Sequence, residues 1–190
     1  IVAGQLLPPS ATDEEIKLDY MNYAIGGSFT SRLNMNLRED KSWSYGVRTR
    51  LASAKGQRAM LVTAPVQTDK TSESITEIVK EYAAYLSDTP VTEAELAKGK
   101  ASKTLRLPGQ FETLGALKSG VSGIVTYNRD LDYLNQLPRL LDEPTLEDVQ
   151  NMAQSYIKPD QWIWLIVGDL SKIEEPIRNL NLGEMKVIDL

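Results

Sequence analysis

No cysteine and no histidine occur among the 190 residues of this chain. The first absence removes disulfides and thiol catalysis, and it is compatible with either the cytosol or the periplasm. The second removes serine–histidine triads and every zinc site built on imidazole. A metal site made of carboxylates alone stays open, but no acidic cluster has the spacing of a calcium loop. Long apolar runs are missing too. The longest, residues 162–167, is strand-sized, so no membrane span is expected. A basic surplus is also absent: 21 Lys and Arg stand against 26 Asp and Glu, a net charge of −5 that argues against a nucleic-acid-binding surface.

What remains is an ordinary globular composition, 42% hydrophobic and 25% charged, long enough to bury a core as one domain. The opening Ile1-Val2-Ala3-Gly4-Gln5-Leu6 reads like the interior of a strand. The chain, residues 1–190, is therefore expected to be a single domain that is a piece of a longer protein, and the lack of a leader says nothing about location.

Pro8-Pro9-Ser10 breaks the first strand. Thr12 with Glu15 then predicts a capping box for a helix over Ile16–Ile25 that stops at Gly26-Gly27. Ser28 or Thr30 can cap a short second helix carrying Leu33 and Leu37. Tyr45, Val47, Thr49 and Leu51 alternate with Ser44, Gly46, Arg48 and Arg50, as in a half-buried strand. The turn 54–57 joins it to a second strand, Met60–Val66, as a hairpin. Helices are predicted over Thr71–Leu86, from a Thr92/Glu95 box to Leu105, over Phe111–Val125 and Arg129–Leu140, and from a Thr145/Asp148 box to Tyr156. A buried strand at Trp162–Val167, a helix at Ser171–Asn179 and a last strand at Met185–Ile188 complete the order. This order predicts an α+β domain, a two-layer sandwich with helices on one face of a mixed or mostly antiparallel sheet.

Four constellations invite chemistry. Gly26-Gly27 lies between two helices, where free N–H groups can face an anion; no nucleotide-type glycine motif accompanies it, and a helix–helix turn accounts for the pair. The adjacent carboxylates Glu14-Glu15, Glu39-Asp40, Asp142-Glu143, Glu147-Asp148 and Glu174-Glu175 point apart on a helix and mostly suit helix first turns. Trp43 with Tyr45, and Trp162 with Trp164, have the i, i+2 spacing of rings sharing one strand face, which is usually core. Arg38 and Tyr45, seven residues apart, are both strong donors able to hold a peptide carbonyl and the oxyanion formed on its attack. On spacing alone, a surface arginine and a core tyrosine account for them.

The run Gly26-Gly27-Ser28-Phe29-Thr30-Ser31-Arg32-Leu33, followed by Asn36-Leu37-Arg38-Glu39-Asp40-Lys41 and Tyr45-Gly46, resembles the pitrilysin/mitochondrial-processing-peptidase-like zinc proteases. The likeness is to their non-metal-binding, C-terminal type repeat, chiefly that of bacterial members, which are often periplasmic. Weaker echoes lie at residues 146–150 and 167–169, and the element order agrees over nearly the whole chain. The resemblance implies a fold with helices over one sheet face and a chamber built from two or four such repeats. In it another repeat, in the same polypeptide or a partner subunit, carries an inverted H-x-x-E-H zinc motif. It implies that Arg38 and Tyr45 reach a peptide substrate across the chamber, with Gly26, Gly27, Ser28, Phe29 and Trp43 around the bound peptide.

The chain departs from the active pattern. The helix that would carry the motif holds no histidine, so this domain is expected to bind no cofactor and to cut nothing alone, with zinc on the partner domain. Ser42-Trp43-Ser44 replaces a Gly-Leu-Ala-like stretch, and Trp43 can wall the substrate site or simply pack. The resemblance leaves a second reading, a scaffold relative like the core subunits of the respiratory cytochrome bc complex. A third is a protein-interaction module with no protease history. The periplasm is the location that the resemblance implies, and the cytoplasm is equally compatible with composition.

Overall fold

The computed structural model describes residues 1–188. Four strands form one antiparallel sheet in the order β2-β3-β1-β4, with β1 at Val2–Leu7, β2 at Arg48–Leu51, β3 at Arg58–Thr63 and β4 at Ile163–Leu165. Register follows the pleat: Ala3 lies opposite Val62 on one side and Trp164 on the other, and Thr49 opposite Val62. These positions, with Leu7, Met60 and Val47, face the helices, and all but the half-buried Trp164 are buried, as a period of two requires.

The helical layer covers that face. Helix α1, Glu15–Asn22, continues as a wider turn of π geometry through Tyr23–Gly27. It carries Leu18, Tyr20, Met21, Ala24 and Ile25 into the core and packs between α7, Leu146–Tyr156, and β2. A short α2, Arg32–Asn34, runs into a second π turn, Met35–Asp40. Then come α3 (Thr71–Leu86), α4 (Glu93–Leu105), α5 (Leu114–Tyr127), α6 (Tyr133–Asp142) and, after β4, α8 (Leu170–Arg178). Tyr82 of α3 meets Trp162 edge to face, ring centroids 4.6 Å apart, which seals the layer against β4.

The expected α+β sandwich is present, with five local corrections. The Thr12/Glu15 box does not form. Glu14 takes the cap position without a side-chain bond, and the Glu15 carboxylate instead lies between Arg58 and Arg129. Ser31, not Ser28 or Thr30, precedes α2, again without a capping bond. Regular pairing begins only at Arg48, because Ser42 takes a left-handed φ of 55° and Ser44 makes a lone bridge to Val66. Tyr45 is therefore off the inward face and 100% exposed. Residues 162–167 are not buried throughout. Trp162 is buried, while Ile163, Leu165 and Val167 are exposed, since β4 is an edge strand and the sheet's second face is uncovered by any described helix. Met185–Ile188 forms no strand.

Candidate functional site

The segment 26–46 is built as a clamp on the end of β2. At Gly26 the helix backbone comes so close to the sheet that an added Cβ would sit 2.0 Å from Thr49 Oγ1. The glycine is buried, so its contribution is this close approach. Gly27 is exposed, but its α-carbon faces Asn22, where an added Cβ would meet Nδ2 at 2.6 Å. Ser28 turns the chain into extended geometry (φ −126°, ψ 163°) and is half-buried. Phe29 then stands out, 68% exposed.

Asn34 ties the clamp together. Although polar, it is 3% exposed. Its Nδ2 donates to the Phe29 carbonyl at 2.6 Å, and its Oδ1 accepts from the Val47 N–H at 2.9 Å. One side chain thus links the Phe29 turn to the residues that follow Tyr45. Arg32, two residues earlier, fastens the same segment to α4: Nε and Nη2 donate to both carboxylate oxygens of Glu95 at 2.7 and 2.6 Å. The guanidinium also lies 5.0 Å from the Tyr85 ring centroid. Its hydrogen bond to Glu95 raises the Arg32 pKa. Burial pushes the Glu95 carboxyl up, but the Arg32 and Thr92 hydrogen bonds outweigh it and hold the carboxyl below its ordinary value.

Arg38 sits on the second π turn, its guanidinium carbon 4.4 Å from the Phe29 ring centroid, and Nη1 donates to Glu39. The strap from Lys41 to Val47 is pinned along its length. The Trp43 N–H donates to the Leu37 carbonyl at 2.9 Å, and the Gln67 N–H donates to the Trp43 carbonyl at 3.0 Å. Ser44 Oγ donates to the Pro65 carbonyl at 2.6 Å. Trp43 is half-buried against the core, with the Lys41 and Lys70 ammonium groups 5.1 and 5.8 Å from its ring centroid. Tyr45 is the contrast. Its side chain stands free on a fixed backbone, and its hydroxyl has no hydrogen-bond partner among the described residues.

Of the residues singled out from sequence, the structure joins Arg38 to Phe29, packs Trp43, buries Gly26 and presents Tyr45 to solvent. Asn34 and Arg32 were not anticipated. The signal for Asn34 was available: it lies three residues before Leu37, on the buried face of the turn. Chemically, the arrangement offers a phenol O–H and the free edge of a guanidinium, both outward-facing and held by buried anchors. It offers no metal site. Among the described residues no three His, Cys, Asp or Glu side chains gather to hold an ion, and on α1 Asp19 is ion-paired with Lys103 at 3.0 Å.

The family model described as "Peptidase M16 inactive domain" matches residues 1–103. No curated protein sequence matches the chain. Among solved structures, a peptidase M16 inactive domain from Pseudomonas fluorescens superposes with a TM-score of 0.76 at 19% identity, over 85% of this chain and 38% of that one. The periplasmic protease PqqL from Escherichia coli gives 0.67 at 21% identity, over 82% of this chain and 17% of that one. A chain of Complex III2 from Candida albicans gives 0.65 at 18% identity, over 81% and 39%. At these identities the likeness is one of fold, and the chain spans well under half the length of each of these structures.

Proposed function

The chain belongs to the peptidase M16 inactive-domain family, and we propose that it is the substrate-binding, transition-state-stabilising domain of a zinc metalloendopeptidase. The observation that carries this reading is Tyr45, a phenol fully exposed and unpartnered on an immobilised strap, seven residues after an arginine laid on an exposed aromatic ring. A surface tyrosine with no packing role gains nothing for the isolated fold. Its hydroxyl is positioned to donate to something the domain itself does not contain.

In this reading a peptide lies across Phe29 and Trp43, and Arg38 and Tyr45 donate to the carbonyl oxygen of the scissile bond. As charge builds on that oxygen, both donors strengthen without rearranging, because Asn34, Ser44 and Trp43 already hold their backbone. Gly26 serves by letting the turn sit close to β2, and Gly27 by letting it close onto Asn22. The zinc belongs to a partner domain of the same family, in the same polypeptide or another subunit, since among the described residues no three His, Cys, Asp or Glu side chains gather to hold it. The periplasm, as for the PqqL relative, is the compartment this assignment favours.

The test is reconstitution with the zinc-motif-bearing domain, comparing Arg38→Ala and Tyr45→Phe with the unaltered chain. Turnover should fall in both, and unchanged turnover in both sinks the proposal. A scaffold role is the second reading, supported by the likeness to Complex III2 and by Glu39 already engaging Arg38. It holds if the co-assembling domain carries no H-x-x-E-H motif.

A further inference from the structure

We infer that a second site, lined by none of the residues of the 26–46 segment, binds a small amphipathic carboxylate. A cleft of about 310 Å³ opens between α1, the end of α4 and α6, at the small end of ligand-sized pockets, which begin near 300 Å³. Its lining combines apolar side chains, among them Ile16, Leu107 and Leu137, with charged ones.

The charged lining residues carry a cationic surplus of one. Asp19 is already paired with Lys103 at 3.0 Å. Glu15 accepts from Arg129 and lies 3.8 Å from Arg58. Of the three cations that line the cleft, Lys103 and Arg129 are thus taken by its two carboxylates, and the third, Arg106, has no carboxylate within ion-pair distance among the described residues. Arg129, also in the lining, has its Nε buried without a hydrogen-bond partner. The lining thus carries one cation more than it has carboxylates, a local balance that suits an anion. Arg106 is exposed and free to fold over it, offering the planar fork that grips a carboxylate in two places. The Gln110 amide, also in the lining, can add a donor.

An anion alone would leave Ile16, Leu107 and Leu137 wet. A carboxylate with an aliphatic or aromatic body of about one residue suits both kinds of lining. The C-terminal residue of a peptide has this chemistry, and so does a free acid of the same shape. This inference is independent of the donor-pair reading, because it uses none of that site's residues.

The experiment is an NMR titration of the intact chain with N-acetyl-leucine, N-acetyl-leucinamide and a pentapeptide ending in free leucine. Expected are saturable shifts at Arg106, Leu107 and Leu137 with the acid, at least tenfold weaker binding of the amide, and at least tenfold weaker binding of the acid to Arg106→Gln. Tighter binding of the pentapeptide than of the acid assigns the site to chain termini, and equal or weaker binding assigns it to free acids. The inference is overturned if no shift saturates up to about 10 mM, if the amide binds as well as the acid, or if Arg106→Gln binds normally.

Discussion

The Arg38 guanidinium lies over the ring of Phe29, 4.4 Å from its centroid, while Glu39 takes one of its N–H groups. An exposed aromatic under an arginine narrows the orientations of a side chain that would otherwise sweep through solvent, at a gain of about 0.5–1 kcal/mol. Phe29→Leu is expected to leave the fold intact, since the ring is 68% exposed. In the assembled peptidase it should lower kcat several-fold, with Phe29→Tyr restoring it. Steady-state kinetics on the three proteins checks this, and equal kcat in all three would remove Phe29 from the positioning of Arg38.

Asn34 makes the complementary prediction for stability. Asn34→Ala strands the buried Val47 N–H and frees the Phe29 carbonyl, so it should cost about 1–3 kcal/mol. Asn34→Asp keeps the acceptor for Val47 but buries an unpaired carboxylate with one oxygen against the Phe29 carbonyl, and should cost at least as much as the alanine near neutral pH. Urea unfolding of both variants tests the order.

Gly26→Ala should destabilise more sharply than Gly27→Ala. At Gly26 the new methyl meets the Thr49 backbone and side chain together, with Cβ at 2.7 Å and N at 3.0 Å as well as Oγ1. At Gly27 the nearest atom is the movable amide of Asn22, although its backbone is also near at 3.0 Å. Overpacking of this kind costs about 1–3 kcal/mol. A Tm for Gly26→Ala no lower than for Gly27→Ala would contradict the close-approach account.

Acid sensitivity should appear at α7. A hydrogen bond from Lys17, then those from Thr145, hold the Asp148 carboxyl down to about 2 from its ordinary 3.8. A depressed folded pKa contributes stability that is present above 3.8 and is lost as pH falls through about 2. Asp148→Asn should thus lower stability by about 0.2–1 kcal/mol near neutral pH, the worth of a partly exposed ion pair such as that with Lys17. The gap to the unaltered chain should shrink as pH falls from 4 towards 2. Thermal melts across that range follow it.

These residues also show where sequence is a sufficient guide. The Thr92/Glu95 and Thr145/Asp148 boxes form as read, because every partner lies within one helical turn. The Thr12/Glu15 box looks the same on paper and fails. Glu15 finds two arginines, Arg58 and Arg129, that only the folded chain brings near. The sandwich and its helix-facing apolar positions follow from periodicity, whereas edges do not: alternation cannot tell that Ile163 and Leu165 border solvent. Tyr45 is the most instructive case. Alternation with Val47 and Thr49 places it inward, and the left-handed Ser42 with the lone Ser44 bridge turns it out. The Arg38–Tyr45 spacing was visible in sequence, but the anchoring by Asn34 was not, since it spans thirteen residues to Val47.

The most direct measurement is kcat for Tyr45→Phe in the reconstituted peptidase, because removing one fully exposed oxygen cannot disturb packing. The account predicts a Tm unchanged from the parent, a KM within about twofold, and a kcat lowered on the order of 100-fold, as for other oxyanion donors. A kcat equal to that of the parent would contradict it.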